Sequence, residues 1–547
     1  MAVPAFYRVG SMAALLVLAV AALYGQFLWN PILFDDLPFF MVDNEGKQPV
    51  SSYHFALLEL RSLPYATLAW SKAWFGLDMF HFRVENLLLH AAVVLALFFF
   101  LSALFAAVYG EQGKNELSPR SAAFFAALLF ALHPVATYAA GYLVQRTIIM
   151  ATLFCLLAML SYVHGSVRQK PLWLWMSVPF YYLAVFAKEH AIMLPAVLLA
   201  LTMLLHDDWR AKLKQRWALF AALAAIAVFV ILLRGMLGSV YELNAPEMLR
   251  DTDSKLSYPL SVITQSWLFF KYALLWVFPN PAWMSIDMRE PFAQSLLSPY
   301  LLASCAFVAW GVAALWLLLK RGRLGLVGFA MLFPWVMFFT EFAAVRIQEE
   351  FVLYRSYLWA VGAFCLLPVI FAKAEARIAM FVLAAIALAM LPISMERLVT
   401  FSHPVLLWDD AEKLVKGRAD LPGAYRIYYN RGTELIKIDR PDQAIADLKQ
   451  ALVLRADLGA AHGNLGAAYI NKRDWKNAAA SFGSAIDLTE KAGDAQQPRF
   501  FYGRAMALEE MGEIGQAQAD YKVSCQLANK GCEKANPAPI TTLLKQK

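Results

Sequence analysis

The chain has 547 residues, 60% of them hydrophobic and 16% charged, and carries a formal net charge of +7. So little polar surface excludes an ordinary water-soluble fold over most of the length. The basic excess lies in short loops between apolar runs, so it speaks of membrane orientation and argues against nucleic-acid binding.

Apolar runs able to span a bilayer recur from residue 11 to about 398, the pattern of a polytopic α-helical membrane protein. The first, 11–29, has no small-residue cleavage site after it and reads as an uncleaved anchor. It opens directly into Asn30-Pro31-Ile32-Leu33-Phe34-Asp35-Asp36-Leu37-Pro38, which sets two adjacent carboxylates among apolar residues at a membrane surface. Burying charge there is costly unless it is paired or used. One of the two could act as a base, or they could share a metal or bind water. In the long loop 30–81, the stretch Tyr53 to Phe75, with Trp70 and Trp74, predicts an amphipathic helix in the outer interface.

Further spans are expected at 82–108, 120–133, 146–163, 172–187, 190–205 and 217–236. Asn86 and His90 stand four apart, on one face of the second. The apolar stretch 262–279 is expected to be interfacial or re-entrant, because a crossing there would export Lys320, Arg321 and Arg323. Spans at 298–319, 324–340, 351–372 and 378–395 then alternate with the basic loops Arg168/Lys170, Arg210 to Arg216, Lys320 to Arg323 and Lys373/Arg377, with Arg8 ahead of the first span. The positive-inside rule gives about eleven crossings, a cytoplasmic N-terminus and an external C-terminal domain. The polar residues in or beside the membrane then gather mostly on the outer side: Asp35, Asp36, His133, Gln145, Arg146, Lys188, Glu189, His190, Glu341, Arg346, Glu349, Glu350 and Arg355. Carboxylates mixed with cations suit a phosphate-bearing, membrane-borne donor, the cations holding the leaving phosphate and a carboxylate activating the acceptor. No zinc-spaced His/Cys/Glu cluster and no glycine-rich phosphate loop occurs in the sequence.

From about residue 402 the chain turns polar, and it aligns with itself at a period of 34: Gly432 recurs as Gly466, Ala444 as Ala478, Leu448 as Phe482 and Ala451 as Ala485. A third copy, five residues longer through the polar stretch Thr489 to Arg499, matches Ala505, Ala517 and Tyr521. This is the tetratricopeptide (TPR) pattern, so 402–535 is expected to hold three helix pairs and a leading helix near 404–416, followed by a tail at 536–547. Near its end, Cys525 and Cys532 would lie about 10 Å apart on one straight helix, too far to bridge. Gly531 could turn the chain back and permit a disulfide, which would imply an oxidising compartment; two unpaired thiols are the alternative.

The first 398 residues resemble the multi-spanning GT-C-class transferases that use polyprenyl-phosphate sugars, and most of all the transmembrane-and-TPR O-mannosyltransferases and their bacterial relatives. The stretches that carry this are Phe34-Asp35-Asp36; Phe82-Arg83-Val84-Glu85-Asn86-Leu87-Leu88-Leu89-His90; Leu132-His133-Pro134-Val135; Val144-Gln145-Arg146; Ala187-Lys188-Glu189; and Phe351-Val352-Leu353-Tyr354-Arg355-Ser356-Tyr357. The resemblance implies an all-α GT-C membrane bundle, residues 1–398, ahead of the TPR α-solenoid. It implies Asp35 or Asp36 as catalytic base, with a lean to Asp36, and Arg146 and Lys188 near the donor phosphate, where Arg355 is read as a third cation. His90, His133, Gln145, Glu189, Glu350 and Tyr354 would support them. Two positions depart from the family pattern: Tyr138 stands where an acid is usual after His-Pro, and the late Glu-Arg pair becomes Glu350-Phe351 with Arg355 a turn away. The implied function is transfer of a sugar from a polyprenyl-linked lipid to a protein hydroxyl held by the TPR domain, on the periplasmic side of a bacterial inner membrane. A divalent cation is left open. The rival readings are a lipid- or glycan-modifying transferase and a non-enzymatic TPR scaffold.

Overall fold

A computed structural model describes residues 5–41, 49–109, 116–236, 256–347 and 349–535; the expected tail at 536–547 lies outside them. Among the described residues the chain is helical, with one isolated bridge between Met288 and Phe351. It divides into two compact units, Met1–His403 and Pro404–Lys547.

The first unit is a membrane helical bundle. Its principal helices are α1 (Ala5–Tyr24), α2 (Ser62–Phe75), α3 (Met79–Tyr109), α4 (Pro119–Ala131), α5 (Arg146–Arg168), α6 (Pro171–Ala187), α7 (Leu194–Leu205), α8 (Trp217–Met236), α9 (Ser257–Val277), α10 (Tyr300–Lys320), α11 (Gly322–Phe338) and α12 (Ala376–Thr400). Among the described residues seven helices are long and apolar enough to cross a bilayer, or ten if each of three bent helix pairs counts as one span. Two shorter apolar helices, Pro171–Ala187 and Glu189–Leu205, stand beside them. The stretch expected to be interfacial or re-entrant is the unbroken α9, whose 21 residues have the length and apolarity of a crossing. The expected interfacial helix is shorter than its apolar stretch. It begins at Ser62, buries Pro64, Ala66, Leu68 and Ser71, and leaves Trp70 and Trp74 exposed.

Breaks in the bundle follow from sequence. Pro134 follows His133, whose ring nitrogen accepts the Val135 N–H, so the chain bends by 53° between α4 and the turn after it. A second bend, of 45°, separates Leu353–Ala360 from Ala363–Ile370. Gly362 sits there against the Phe333 ring, where a Cβ would come within 2.3 Å of it. These interruptions leave short irregular segments (28–36, 132–145, 188–193 and 344–355) that carry the polar residues.

The second unit is an α-solenoid. A leading helix, α13 (Pro404–Val415), is followed by the pairs α14/α15 (Tyr425–Lys437, Pro441–Leu454), α16/α17 (Gly459–Asn471, Trp475–Lys491) and α18/α19 (Pro498–Glu510, Ile514–Ala528). The repeated small residues let paired helices close: a Cβ on Gly432 would meet Leu448 at 2.9 Å and one on Gly466 would meet Phe482 at 2.8 Å. Part of the extra length before the third pair is taken up by α17, with 17 residues against 14 in α15. Cys525 and Cys532 form a disulfide with Cα atoms 4.9 Å apart. Asn529 ends α19 in the left-handed conformation and Gly531, also at positive φ, completes the reversal.

Candidate active site

The acid pair leaves α1 on an extended Leu33 and enters a tight turn through Phe34, a non-glycine residue at φ +47°. That turn sends the two carboxylates to different places. Asp36 is buried, and its oxygens accept the backbone N–H of Val144 at 2.8 Å and of Leu143 at 3.4 Å. Burial pushes its carboxyl up to about 7, although Arg83 and the two N–H donors pull the other way. Asp35 stays half-exposed, and its backbone N–H donates to the Tyr142 hydroxyl at 2.6 Å. Burial, with the two aspartates next, raises the Tyr142 phenol well above its ordinary value, so it remains a neutral hydroxyl.

Beneath the turn, Arg83 on α3 is buried and donates to three carbonyls: Nε to Asn30 at 2.7 Å, Nη2 to Pro31 at 2.5 Å and Nη1 to Gly141 at 2.9 Å. One turn along α3, the Asn86 amide donates to the Tyr142 and Leu143 carbonyls. Asn86 Oδ1 accepts from Arg146 Nε at 2.7 Å. The rest of the Arg146 guanidinium reaches Glu85 at 2.8 Å, Thr67 of α2 at 3.1 Å and the Phe82 carbonyl at 3.0 Å. Arg146 is thus built into the joint between α2, α3 and α5. Gln145, beside it, is buried, and among the described residues its Oε1 has no hydrogen-bond partner.

A second wall comes from 188–193 and 341–355. Lys188 is buried, its Nζ 3.5 Å from Thr147 Oγ1 and 5.7 Å from the centre of the Tyr354 ring. Burial, then the cations of Arg61 and Arg355, push its ammonium down to about 7, against the pull of Glu189 and Glu349. Glu189 pairs with Arg61 (Nε to Oε2 at 3.1 Å). Arg61 ties the entry to α2 onto this wall a second time, through its N–H to the Phe186 carbonyl at 2.7 Å. Arg355 forks between Glu341 at 3.2 Å and Glu349 at 2.6 Å, and Glu341 also faces His190 at 3.4 Å and Arg346 at 3.5 Å. Leu353–Arg355 packs against Thr137–Ala140, which joins this wall to the segment that carries Tyr142.

Other expected residues serve elsewhere. His90 contacts the Tyr357 hydroxyl at 2.6 Å and the Ala131 carbonyl at 3.4 Å, with Tyr24 edge-on to its ring. His133 stacks on Trp276, meets its carbonyl at 3.1 Å and accepts the Val135 N–H. With both nitrogens engaged by the protein, each packs helices together. Glu350 is buried, accepting the Glu290 N–H at 3.2 Å while Gln265 donates to its carbonyl at 2.9 Å. Burial raises its carboxyl well above the ordinary range, while Arg289 and the Glu290 N–H pull the other way. Tyr138 packs with Phe401 and lies 3.5 Å from Arg397 of α12. No group of three or more His, Cys, Asp or Glu side chains that could hold a metal occurs among the described residues.

The sequence reading gives no role to Arg61, Arg83, Glu85 or Tyr142, although Arg83 and Glu85 lie in a stretch that carries the resemblance. For Arg83 and Glu85 a signal exists: both are charges within the first two turns of a long apolar helix, where an unpaired charge is costly.

Comparison with known proteins gives a repeat family and three relatives. A tetratricopeptide repeat model matches residues 425–457. Human protein O-mannosyl-transferase TMTC1 is 29% identical over 166 residues, 27% of this chain and 18% of the relative. Its mouse counterpart is 30% identical over the same length, covering 27% and 16%. Human protein O-mannosyl-transferase TMTC4 is 32% identical over 120 residues, 20% of this chain and 16% of that one. The matched stretch spans less than a fifth of these curated relatives.

Proposed function

We propose that this protein is a membrane glycosyltransferase that moves a sugar from a polyprenyl-phosphate-linked lipid to a protein hydroxyl. The observation that carries the reading is the set of polar groups on the short segments between spans: the Asp35–Asp36 turn tied to Leu143 and Val144, and the buried cations Lys188 and Arg355 on 188–193 and 344–355. Similarity to the O-mannosyl-transferases supports the reaction class.

The divided surroundings of the two acids favour Asp35 as the base, a change from the lean to Asp36. Asp36 spends its oxygens on backbone N–H groups, whereas Asp35 is half-exposed beside them. In the reaction, Asp35 takes the proton of the acceptor hydroxyl as its oxygen bonds to the anomeric carbon. The bond from that carbon to the carrier phosphate oxygen breaks, and the leaving phosphate keeps the electron pair. Lys188 suits that charge best, because its hydrogen bond within the described residues is one long contact to Thr147. Arg355, already forked between two glutamates, lends its charge from behind. Arg146, with four of its five donor positions committed to protein, holds the frame. The solenoid would present the acceptor protein outside the cytoplasm.

The test is transfer from a polyprenyl-phosphate sugar to hydroxyl-bearing peptides by the full-length protein in lipid nanodiscs. Deletion of the gene, followed by mass spectrometry of envelope proteins, gives the in vivo counterpart. Transfer by the wild type, with a loss of at least about 10²-fold for Asp35→Asn at unchanged folding, is expected for a lost general base. Unaltered glycopeptides in the deletion strain, or full activity of Asp35→Asn, would overturn the reading.

A further inference from the structure

We propose that Arg83 is a positioning residue for Asp35, and that it works together with Asp36 as a two-part clip. The role rests on the transferase reading; the geometry does not. Two loops far apart in sequence, 30–36 and 141–144, meet edge to edge. Arg83 uses one planar guanidinium to take carbonyls from both: Asn30 and Pro31 from the first, Gly141 from the second. Asp36 does the converse, reaching from the first loop to take the N–H groups of Leu143 and Val144 on the second. A third stitch runs from the Asp35 N–H to the Tyr142 hydroxyl.

Every one of these bonds ends on backbone at the loop edges or on the Asp35 N–H itself. The set therefore fixes the path of the main chain through residue 35. Such a joint is what holding a base to sub-ångström tolerance requires. The guanidinium is essential to the design: its donors diverge in one plane, so a single side chain reaches three carbonyls. A lysine in its place keeps the charge and much of the length, but its one nitrogen cannot span the same three acceptors.

Two measurements on the full-length protein in nanodiscs test this. The first compares wild type, Arg83→Lys and Arg83→Met for transfer per folded molecule. Arg83→Lys should lower kcat by about 10²-fold, the cost of a misplaced reacting group, with little change in the donor KM. A merely structural role would instead leave kcat per folded molecule intact. Arg83→Met is read the same way if it accumulates, and Arg83→Lys alone suffices if it does not. The second measurement needs no activity. Of the three free cysteines Cys155 and Cys365 are buried and Cys305 is exposed, so a Cys305→Ser background leaves an introduced thiol as the accessible one. With Asp35→Cys in that background, the rate of modification by a charged methanethiosulfonate should change several-fold when Arg83→Lys is added. An unchanged modification rate would overturn the clip whatever the activity. Absence of transfer by the wild type, with a changed modification rate, would overturn the transferase reading and leave the clip standing.

Discussion

Asp36 sets stability and activity against each other. Its folded carboxyl sits at about 7, above the ordinary carboxylate value near 4. Between those values the folded state holds a proton that the unfolded chain has released. Folding is therefore favoured as pH falls from about 7 toward 4, and that contribution is lost as pH rises through 7. The effect is on the order of a few kcal/mol. Arg83 and Asp35, the charged groups facing it, respectively lower and raise the value without reversing it. The Leu143 and Val144 N–H bonds, however, are strongest to the ionised form. Transfer should thus rise through pH 7 while melting temperature falls. Measured from pH 4 to 8, the difference in melting temperature between wild type and Asp36→Asn should slope in that direction. A flat difference would mean that Asp36 titrates as an ordinary carboxylate.

At the scale of elements, the bundle depends on close approach as much as on apolar area. Between lipid-facing helices there is little hydrophobic gain in association, so packing of small residues takes over. Where α10 and α11 meet, a Cβ on Gly328 would lie 2.1 Å from the Leu318 nitrogen and 2.6 Å from the Ala314 carbonyl oxygen, both unyielding backbone atoms. Gly328→Ala should therefore destabilise by about 3 kcal/mol, the upper range for overpacking, seen as a lowered melting temperature in detergent. Gly10→Ala, whose Cβ would meet nothing within 4 Å, is the matched control.

Such contacts mark the limit of what the sequence discloses. Hydropathy finds the apolar helices because spanning a bilayer demands an unbroken run, and the 34-residue period finds the solenoid because each pair packs as the last one did. The acid pair is legible too, since two charges beside an apolar helix stand out. Which acid is exposed is not, for that depends on N–H groups 107 and 108 residues away. Likewise Arg146 reads as a site cation, but its engagement by Asn86, Glu85 and Thr67 is set by tertiary packing. The break in regular structure at His133 follows from Pro134, whereas the use of both ring nitrogens does not.

For the whole molecule, the two units call on different sources of stability. The solenoid is small and polar, and holds itself with forked Arg–Asp pairs, Arg431 to Asp447 and Arg504 to Asp520, in its first and third helix pairs. The middle pair has Leu465 and Ser481 at the corresponding places. Its last helix is fastened by the Cys525–Cys532 disulfide, which closes a short loop. Cys525→Ser should cost about 2.5 kcal/mol on a chain-entropy estimate. In the full-length protein this should appear as earlier proteolysis of the C-terminal unit on heating. Reductant should reproduce the effect in wild type and add nothing in the variant.

The bundle itself is layered. In α1 and α12 only 22% of the apolar window is buried, against 78% in the span from Leu143 to Arg168. The outer helices must match the thickness of the surrounding bilayer, tilting or stretching lipid when it changes. The central helix, wrapped by protein, feels no such demand. Since that span opens with the Leu143 and Val144 N–H groups that donate to Asp36, and Arg146 begins its α-helix, the site hangs from the part of the molecule least coupled to acyl-chain length. One link between the perimeter and the segment that leads into the aspartate turn is the Asn30 amide on the Leu398 carbonyl of α12. A thinner or thicker membrane would thus be absorbed at the rim before it disturbed the chemistry.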